Sequence, residues 1–321
     1  MSTKGFLSAG ELSARLTPAT SAPLLGAGSV PWPSRILVYA DEAASTRAAL
    51  TMAGALAVRA GADVDILSVF TPRIPMPNVP GRSGLEQCED GEKSAAAEFV
   101  RAVREQERQQ ADGHTPWPVH LEVGDPVRAI LERAERKQVD LVVLGLGHRD
   151  PLLRQRGVVT PVALSRYTEV PMLAAAPLMT ALPQTVVIVV DSEEPDPLIV
   201  RWALRSVEEA AFVWVLMHGG TTPHDSHGIR RAKGVLRAIM RSVRAEAAVV
   251  SKRIIVRGVH RTGDLVQAVQ TLTHDVNADL IVTGVHGAPG AIRSLVANVA
   301  QQLLLTSICS VLVVPESRCR G

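Results

Sequence analysis

Cysteine is scarce in this chain, with three among 321 residues, at Cys88, Cys309 and Cys319. That spacing forms neither a metal knuckle nor a disulfide framework, so the chain reads as a protein of a reducing, cytoplasmic compartment. Cys309 borders an apolar run and reads as a core residue rather than a reactive thiol. Aromatic residues supply 3% of the chain against 46% for hydrophobic residues as a whole. Its cores must therefore be built from Ala, Val, Leu and Ile, which suits sheets closely covered by helices. Neither sign of charge dominates. With 34 basic and 32 acidic residues the net charge is +2, too small for the electrostatic footprint of a nucleic-acid binder or a membrane-bound protein. No apolar run reaches the roughly 20 residues of a membrane span. A Walker lysine motif is missing, and no Ser or Cys stands where a histidine would activate it. Residues 1–33 are rich in Ser, Ala, Pro and Gly and lack the apolar centre of a signal peptide, so they read as a mobile tail.

What is present is a long repeat. Gly124-Asp125 and Asp140-Leu-Val-Val-Leu-Gly145 recur as Gly263-Asp264 and Asp279-Leu-Ile-Val-Thr-Gly284, each pair 139 residues apart. Val170-Pro171-Met-Leu-Ala-Ala falls opposite Cys309-Ser310-Val-Leu-Val-Val at the same offset. A period this long indicates duplicated domains rather than a solenoid. The divisions are residues 34–178, a linker at 179–183, residues 184–316, and a short tail at 317–321. Short apolar runs predict strands buried on both faces near residues 35–40, 63–70, 119–123, 140–145 and 172–176. In the second half they predict strands near 185–190, 211–217, 252–256, 279–283 and 310–314. Amphipathic stripes lie between them, such as Leu50, Ala53, Gly54 and Ala57, or Val200, Ala203, Leu204 and Val207. Asp125, before Pro126, and Asp264 read as helix N-caps. Strand alternating with helix makes the fold class α/β, two doubly wound parallel-sheet domains in tandem. The proline-rich loop 71–91 reads as an irregular connection or a flap over the first-half crevice.

One segment carries chemistry. The apolar run Leu280–Thr283 leads into Gly284-Val-His-Gly287, and after nine residues comes Ala297-Asn298. Two glycines three apart let backbone amides approach an anion, and a helix N-terminus adds further donors. This spacing resembles the nucleotide-binding signature of the universal stress protein family, Gly-x2-Gly-x9-Gly-(Ser/Thr). Val282-Thr-Gly-Val-His-Gly287 resembles the family's fourth strand end, and Cys309-Ser-Val-Leu-Val-Val-Pro315 its last strand. The resemblance covers nearly all of the chain beyond the N-terminal tail. It implies the strand order 3-2-1-4-5, with a crevice between strands 1 and 4. It also implies a pseudo-dimer within the chain, because the family pairs through its last strands, and a homodimer of such chains is a further expectation.

In the second half the resemblance assigns Asp191 and Gly219 to the base and ribose, Thr283 and Gly284 to the ribose, and Gly287 to the phosphates. Ala297, Asn298 and Val299 would supply amides at a helix start. The sequence departs from the signature at Ala297-Asn298, where the family has Gly-Ser or Gly-Thr. Its first-half counterpart departs further, with His148 and Val158-Val159 at the motif positions. Strand 1 ends in Asp41-Glu-Ala-Ala-Ser and Asp191-Ser-Glu-Glu-Pro, without the glycine-rich loop of related pyrophosphatases. His218, His224, Asp225 and His227 cluster in a segment of loop composition, and no metal site is assigned to them. Arg237, Arg241 and Arg244 share one helix face and read as solvated. The expected function is regulatory binding of ATP or another adenine nucleotide, with Mg as its companion ion, in a stress response without turnover. The alternative is a nucleotide-free scaffold acting through protein contacts.

Overall fold

The strands form where Val, Ile and Leu run without interruption. A computed structural model describes residues 33–41, 45–71, 90–110, 116–147, 160–190, 197–218, 226–284 and 293–315. The first half places β1 (Arg35–Tyr39), α1 (Ser45–Ala60), β2 (Asp63–Phe70), α2 (Asp90–Gln110), β3 (Val119–Val123), α3 (Pro126–Lys137), β4 (Leu141–Gly145), α4 (Thr160–Leu164) and β5 (Met172–Ala175). The second half repeats the series with β6 (Thr185–Val190), α5 (Pro197–Arg205), β7 (Phe212–His218), α6 (Ser226–Val250), β8 (Ile255–Arg261), α7 (Leu265–Asp275), β9 (Leu280–Gly284), α8 (Arg293–Thr306) and β10 (Ser310–Val314). The N-terminal tail and most of the proline-rich loop lie outside the described residues.

Strand pairing joins both halves into one sheet of ten strands, ordered β3-β2-β1-β4-β5-β10-β9-β6-β7-β8. Each half has the expected order 3-2-1-4-5, and its internal pairs are parallel. The halves meet where β5 and β10 run antiparallel, with Ala174 opposite Val311, Leu173 opposite Leu312 and Met172 opposite Val313. These six residues are at most 1% exposed, so the junction is core rather than surface contact. Ser310 extends it, its hydroxyl accepting the Ala176 N–H at 3.0 Å in a buried position.

Alternation along the strands divides the core into two layers. One face carries α1, α2, α5 and α6 over Ile36, Val38, Ile188 and Val213. The opposite face carries α3, α4 and part of α8 over Leu37, Tyr39 and Val142, and α7 with the rest of α8 over Val187, Leu216 and Ile281. Both layers cross the junction. On the first face Arg59 of α1 donates to the Val207 carbonyl of the second half. On the other, Arg166 after α4 donates to Gln301 of α8 at 3.3 Å.

Repeated polar devices fix the ends of these elements. Asp125 caps α3 by accepting the Arg128 N–H at 2.8 Å, and Asp264 caps α7 by accepting the Gln267 N–H at 2.7 Å. Two further aspartates, again 139 residues apart, clasp the starts of neighbouring strands. Asp140 accepts the Ser34 and Arg35 amides at 2.7 and 3.0 Å, and Asp279 accepts those of Gln184 and Thr185, both at 2.9 Å.

Candidate functional site

After β6 the chain passes to α5 on one face of the sheet, and after β9 it passes to α8 on the other. The carboxyl ends of β6 and β9 therefore flank the point where the winding reverses, the place where open α/β sheets form a crevice. Their backbone pairing ends at Ile188 and Val282. In the first half, pairing of β1 with β4 continues one residue further, to Tyr39 and Leu144. The second-half strands thus separate one residue deeper in the sheet.

Gly284 ends β9 half-exposed. A Cβ built on it would lie 3.1 Å from Ile199 Cδ1, the far end of a flexible side chain, and 3.9 Å from the Val314 carbonyl. Thr283 is 2% exposed, and its hydroxyl lies 3.4 Å from the Gly284 carbonyl. Asp191, Gly219 and Gly287 lie outside the described residues. The structure departs from expectation at the helix. α8 opens at Arg293, so Ala297, Asn298 and Val299 fall in its second turn rather than at its start. An amide one turn into a helix is bonded to the carbonyl four residues before it and is not free for an anion. Val299 is half-buried against the core.

The first-half crevice is built differently. The Thr46 hydroxyl lies 2.8 Å from Asp41 Oδ1 and 2.9 Å from the Asp41 carbonyl, and it accepts the Asp41 N–H at 3.0 Å. This side chain, the counterpart of Asp191, is thereby turned into the first turn of α1. A Cβ on Gly145 would lie 2.7 Å from the backbone carbon of Ser45. The start of α1 therefore rests directly on the end of β4. Beneath it, the Tyr39 hydroxyl is held protonated well above the usual phenol range, by burial first and then by the charges of Asp41 and Asp125. His148, Val158 and Val159 lie outside the described residues.

The rims of both crevices carry a support that pattern reading did not identify. Thr71, after β2, donates to the Gly124 carbonyl at 3.1 Å, and His218, at the end of β7, donates from Nε2 to the Gly263 carbonyl at 2.8 Å. Gly124 and Gly263 are repeat equivalents with φ of +137° and +93°, a region that favours glycine. The clue available in sequence was that both glycines precede a capping aspartate. His218 thus has a structural partner, while His224 and Asp225 lie outside the described residues. Among the described residues no group of three or more His, Cys, Asp or Glu could hold a metal ion.

Comparison with known proteins decides the affiliation. The model of the universal stress protein family matches residues 33–175 and again residues 183–315. The chain belongs to the universal stress protein family. Both matches lie within the two sheet halves, so this is a tandem member. A universal stress protein from Archaeoglobus fulgidus DSM 4304 superposes with a TM-score of 0.64 at 16% identity, covering 88% of this chain and 96% of that one. A functionally unknown protein from Pseudomonas aeruginosa PAO1 superposes with a TM-score of 0.58 at 16% identity, covering 88% and 93%. At such identity the likeness concerns the fold. No curated protein matches the chain. Among the described residues no helix is long and apolar enough to cross a membrane.

Proposed function

We propose that this tandem universal stress protein is a stress-response regulator that binds ATP or another adenine nucleotide in its second-half crevice without turning it over. The carrying observation is the contrast between the two strand ends. Among the described residues a Cβ on Gly284 would meet the flexible tip of Ile199 and, at 3.9 Å, the Val314 carbonyl, whereas the Ser45 backbone closes over Gly145. In this reading Thr283 and Gly284 line the ribose, Asp191 and Gly219 hold the nucleoside, and Gly287 gives the phosphates room. Mg would enter with the triphosphate.

Calorimetry of ATP with Mg on the full chain tests this. We expect one nucleotide per chain, loss of binding in Gly284→Val and in Asp191→Ala, and no change in Asp41→Asn. Two equivalent sites, or binding that survives both second-half changes, would falsify the assignment. Turnover requires a positioned nucleophile and a cationic or metal clamp on the γ-phosphate. His286 and Arg293 are the motif-side groups of that kind, and a lone pair of them suits holding over hydrolysis. Phosphate release at saturating ATP should stay at background. A steady rate abolished by His286→Ala would make the protein an enzyme.

A second reading, a nucleotide-free scaffold, draws support from the early opening of α8, which commits the amides of Ala297 and Asn298 to the helix. Ala297→Gly combined with Asn298→Ser separates the two readings. If phosphate reaches this turn, one regained charge-assisted hydrogen bond is worth about 1.5–3 kcal/mol, or roughly tenfold to a hundredfold in affinity. No gain, together with no binding by the parent, leaves the scaffold.

A further inference from the structure

On the face covered by α3 and α7, the two halves differ in a way their common fold does not require. In the first half, Glu122 at the end of β3 binds Arg133 and Arg136 of α3, each at 3.2 Å, and His120 lies 3.4 Å from Asp65. That face is closed by its own charges. At the repeat offset of 139 residues, Glu122 becomes Arg261, Arg136 becomes Asp275, Arg133 becomes Leu272 and His120 becomes Val259. The outer charge pair is thus reversed, yet no ion pair within 4.0 Å joins Arg261 and Asp275. Between them runs an open groove of about 530 Å³, with Trp214, Val259 and Leu272 among its walls.

Register puts Phe212 and Trp214 of β7 beside Ile255 and Arg257 of β8. The Arg257 guanidinium lies over both rings, 5.9 Å from the Phe212 centroid and 5.4 Å from that of Trp214. Among the described residues no carboxylate pairs with it. Phe212 is 40% exposed and Ile255 47% exposed. The chain has only four Phe and four Trp, and this face holds two of the eight, Phe212 exposed and Trp214 partly buried against the core. Folding gains little from an aromatic left in water. Trp and Arg around an apolar hollow are the composition of a binding hot spot.

We propose that this groove docks an extended segment of a partner protein in which an apolar side chain is flanked by carboxylates. The apolar side chain would seat between Trp214 and Leu272. The ring contacts anchor the exposed Arg257 guanidinium at this face, where it can take a carboxylate, and Arg261 offers a second fork. Arg261 and Asp275 balance within the groove, and Arg257, over the Phe212 and Trp214 rings that wall it, adds a positive charge on the β8 side. Asp275, in the last turn of α7, repels acid at that end. The carboxylates are therefore directed to the β8 side, which sets the polarity of the segment.

The test uses the full chain and two fluorescein-labelled decapeptides, each with a central Leu-Phe pair flanked by either four glutamates or four lysines. Fluorescence anisotropy should show saturable binding of the glutamate peptide and at least tenfold weaker binding of the lysine peptide. Arg257→Glu with Arg261→Glu should weaken the glutamate peptide at least tenfold and reverse the preference. Both sites are exposed, so circular dichroism should be unchanged. A glutamate peptide with Ser-Ser in place of Leu-Phe should bind at least tenfold more weakly. Absence of saturable binding, equal affinity for both charges, or indifference to the double reversal overturns the proposal. So does sedimentation in which the parent self-associates and the double variant is monomeric, since the occupant is then a second copy of this chain.

Discussion

Gly145 and Gly284 occupy the same place in the repeat and, among the described residues, face different neighbours. Gly145→Ala would drive a methyl into the Ser45 backbone, which cannot rotate away, whereas Gly284→Ala would meet a terminal methyl that can. We expect the first change to cost about 3 kcal/mol, the upper end for overpacking, and the second under about 1 kcal/mol, read by urea unfolding. Equal costs would mean that the two crevices are equally filled. Asp279 accepts two amides from the start of β6. Asp279→Ala should destabilise by about 1.5–3 kcal/mol, with Asn recovering some of the loss because it keeps an acceptor oxygen. In sequence Asp140 and Asp279 were visible only as residues leading a strand. Their clasping role was illegible because the amides they hold lie 94–106 residues away. Local roles read better. The capping function of Asp125 and Asp264 was plain because cap and amide are three residues apart.

Elements were legible in proportion to how completely the sheet surrounds them. β6 and β10 fall where their apolar runs predict, because central strands are buried on both sides. β8 does not. The apolar run suggested residues 252–256, but α6 continues to Val250 and the strand occupies Ile255–Arg261. β8 ends the sheet, and its outer face holds Arg257 and Arg261, so its composition carries no continuous apolar signal. α3 and α7 end alike, with Gln138 at φ 51° and Asn277 at φ 48° in equivalent left-handed positions. Gln138→Gly should relieve that conformation and stabilise the chain by up to about 1 kcal/mol, measured as a higher unfolding midpoint. Asp125→Ala and Asp264→Ala should each cost about 1 kcal/mol, and amide exchange should quicken in the first turn of the helix concerned.

Across the whole molecule, each side of the α3–α7 layer buries one neutral acid. The Cys309 thiol is pushed up to about 12, by burial first and with Asp279 adding, and burial likewise raises Tyr39. A group whose folded pKa is raised favours the folded state while it stays protonated. The contribution of Cys309 is therefore complete below its ordinary value of 9.0 and is lost as pH climbs from there towards 12. We expect stability to fall steadily above pH 9, and to fall less steeply in Cys309→Ala, by chemical unfolding at pH 8 and pH 10.5. Identical slopes would place the titration elsewhere. The tandem arrangement was legible from the 139-residue offset and from the family's pairing through its last strands. The second-half groove was not. It arises from β7, β8 and α7 together, and no sequence pattern joins Trp214 to Asp275. The antiparallel junction of β5 and β10 relates the halves as a twofold axis relates the partners of a homodimer. A substitution in a homodimer is made on both sides of such an axis at once. In this chain it is made once, so the packing of α1 on β4 and the aromatic face of β7 and β8 could each change without altering its counterpart, and their ratio in every molecule is fixed by the peptide bond.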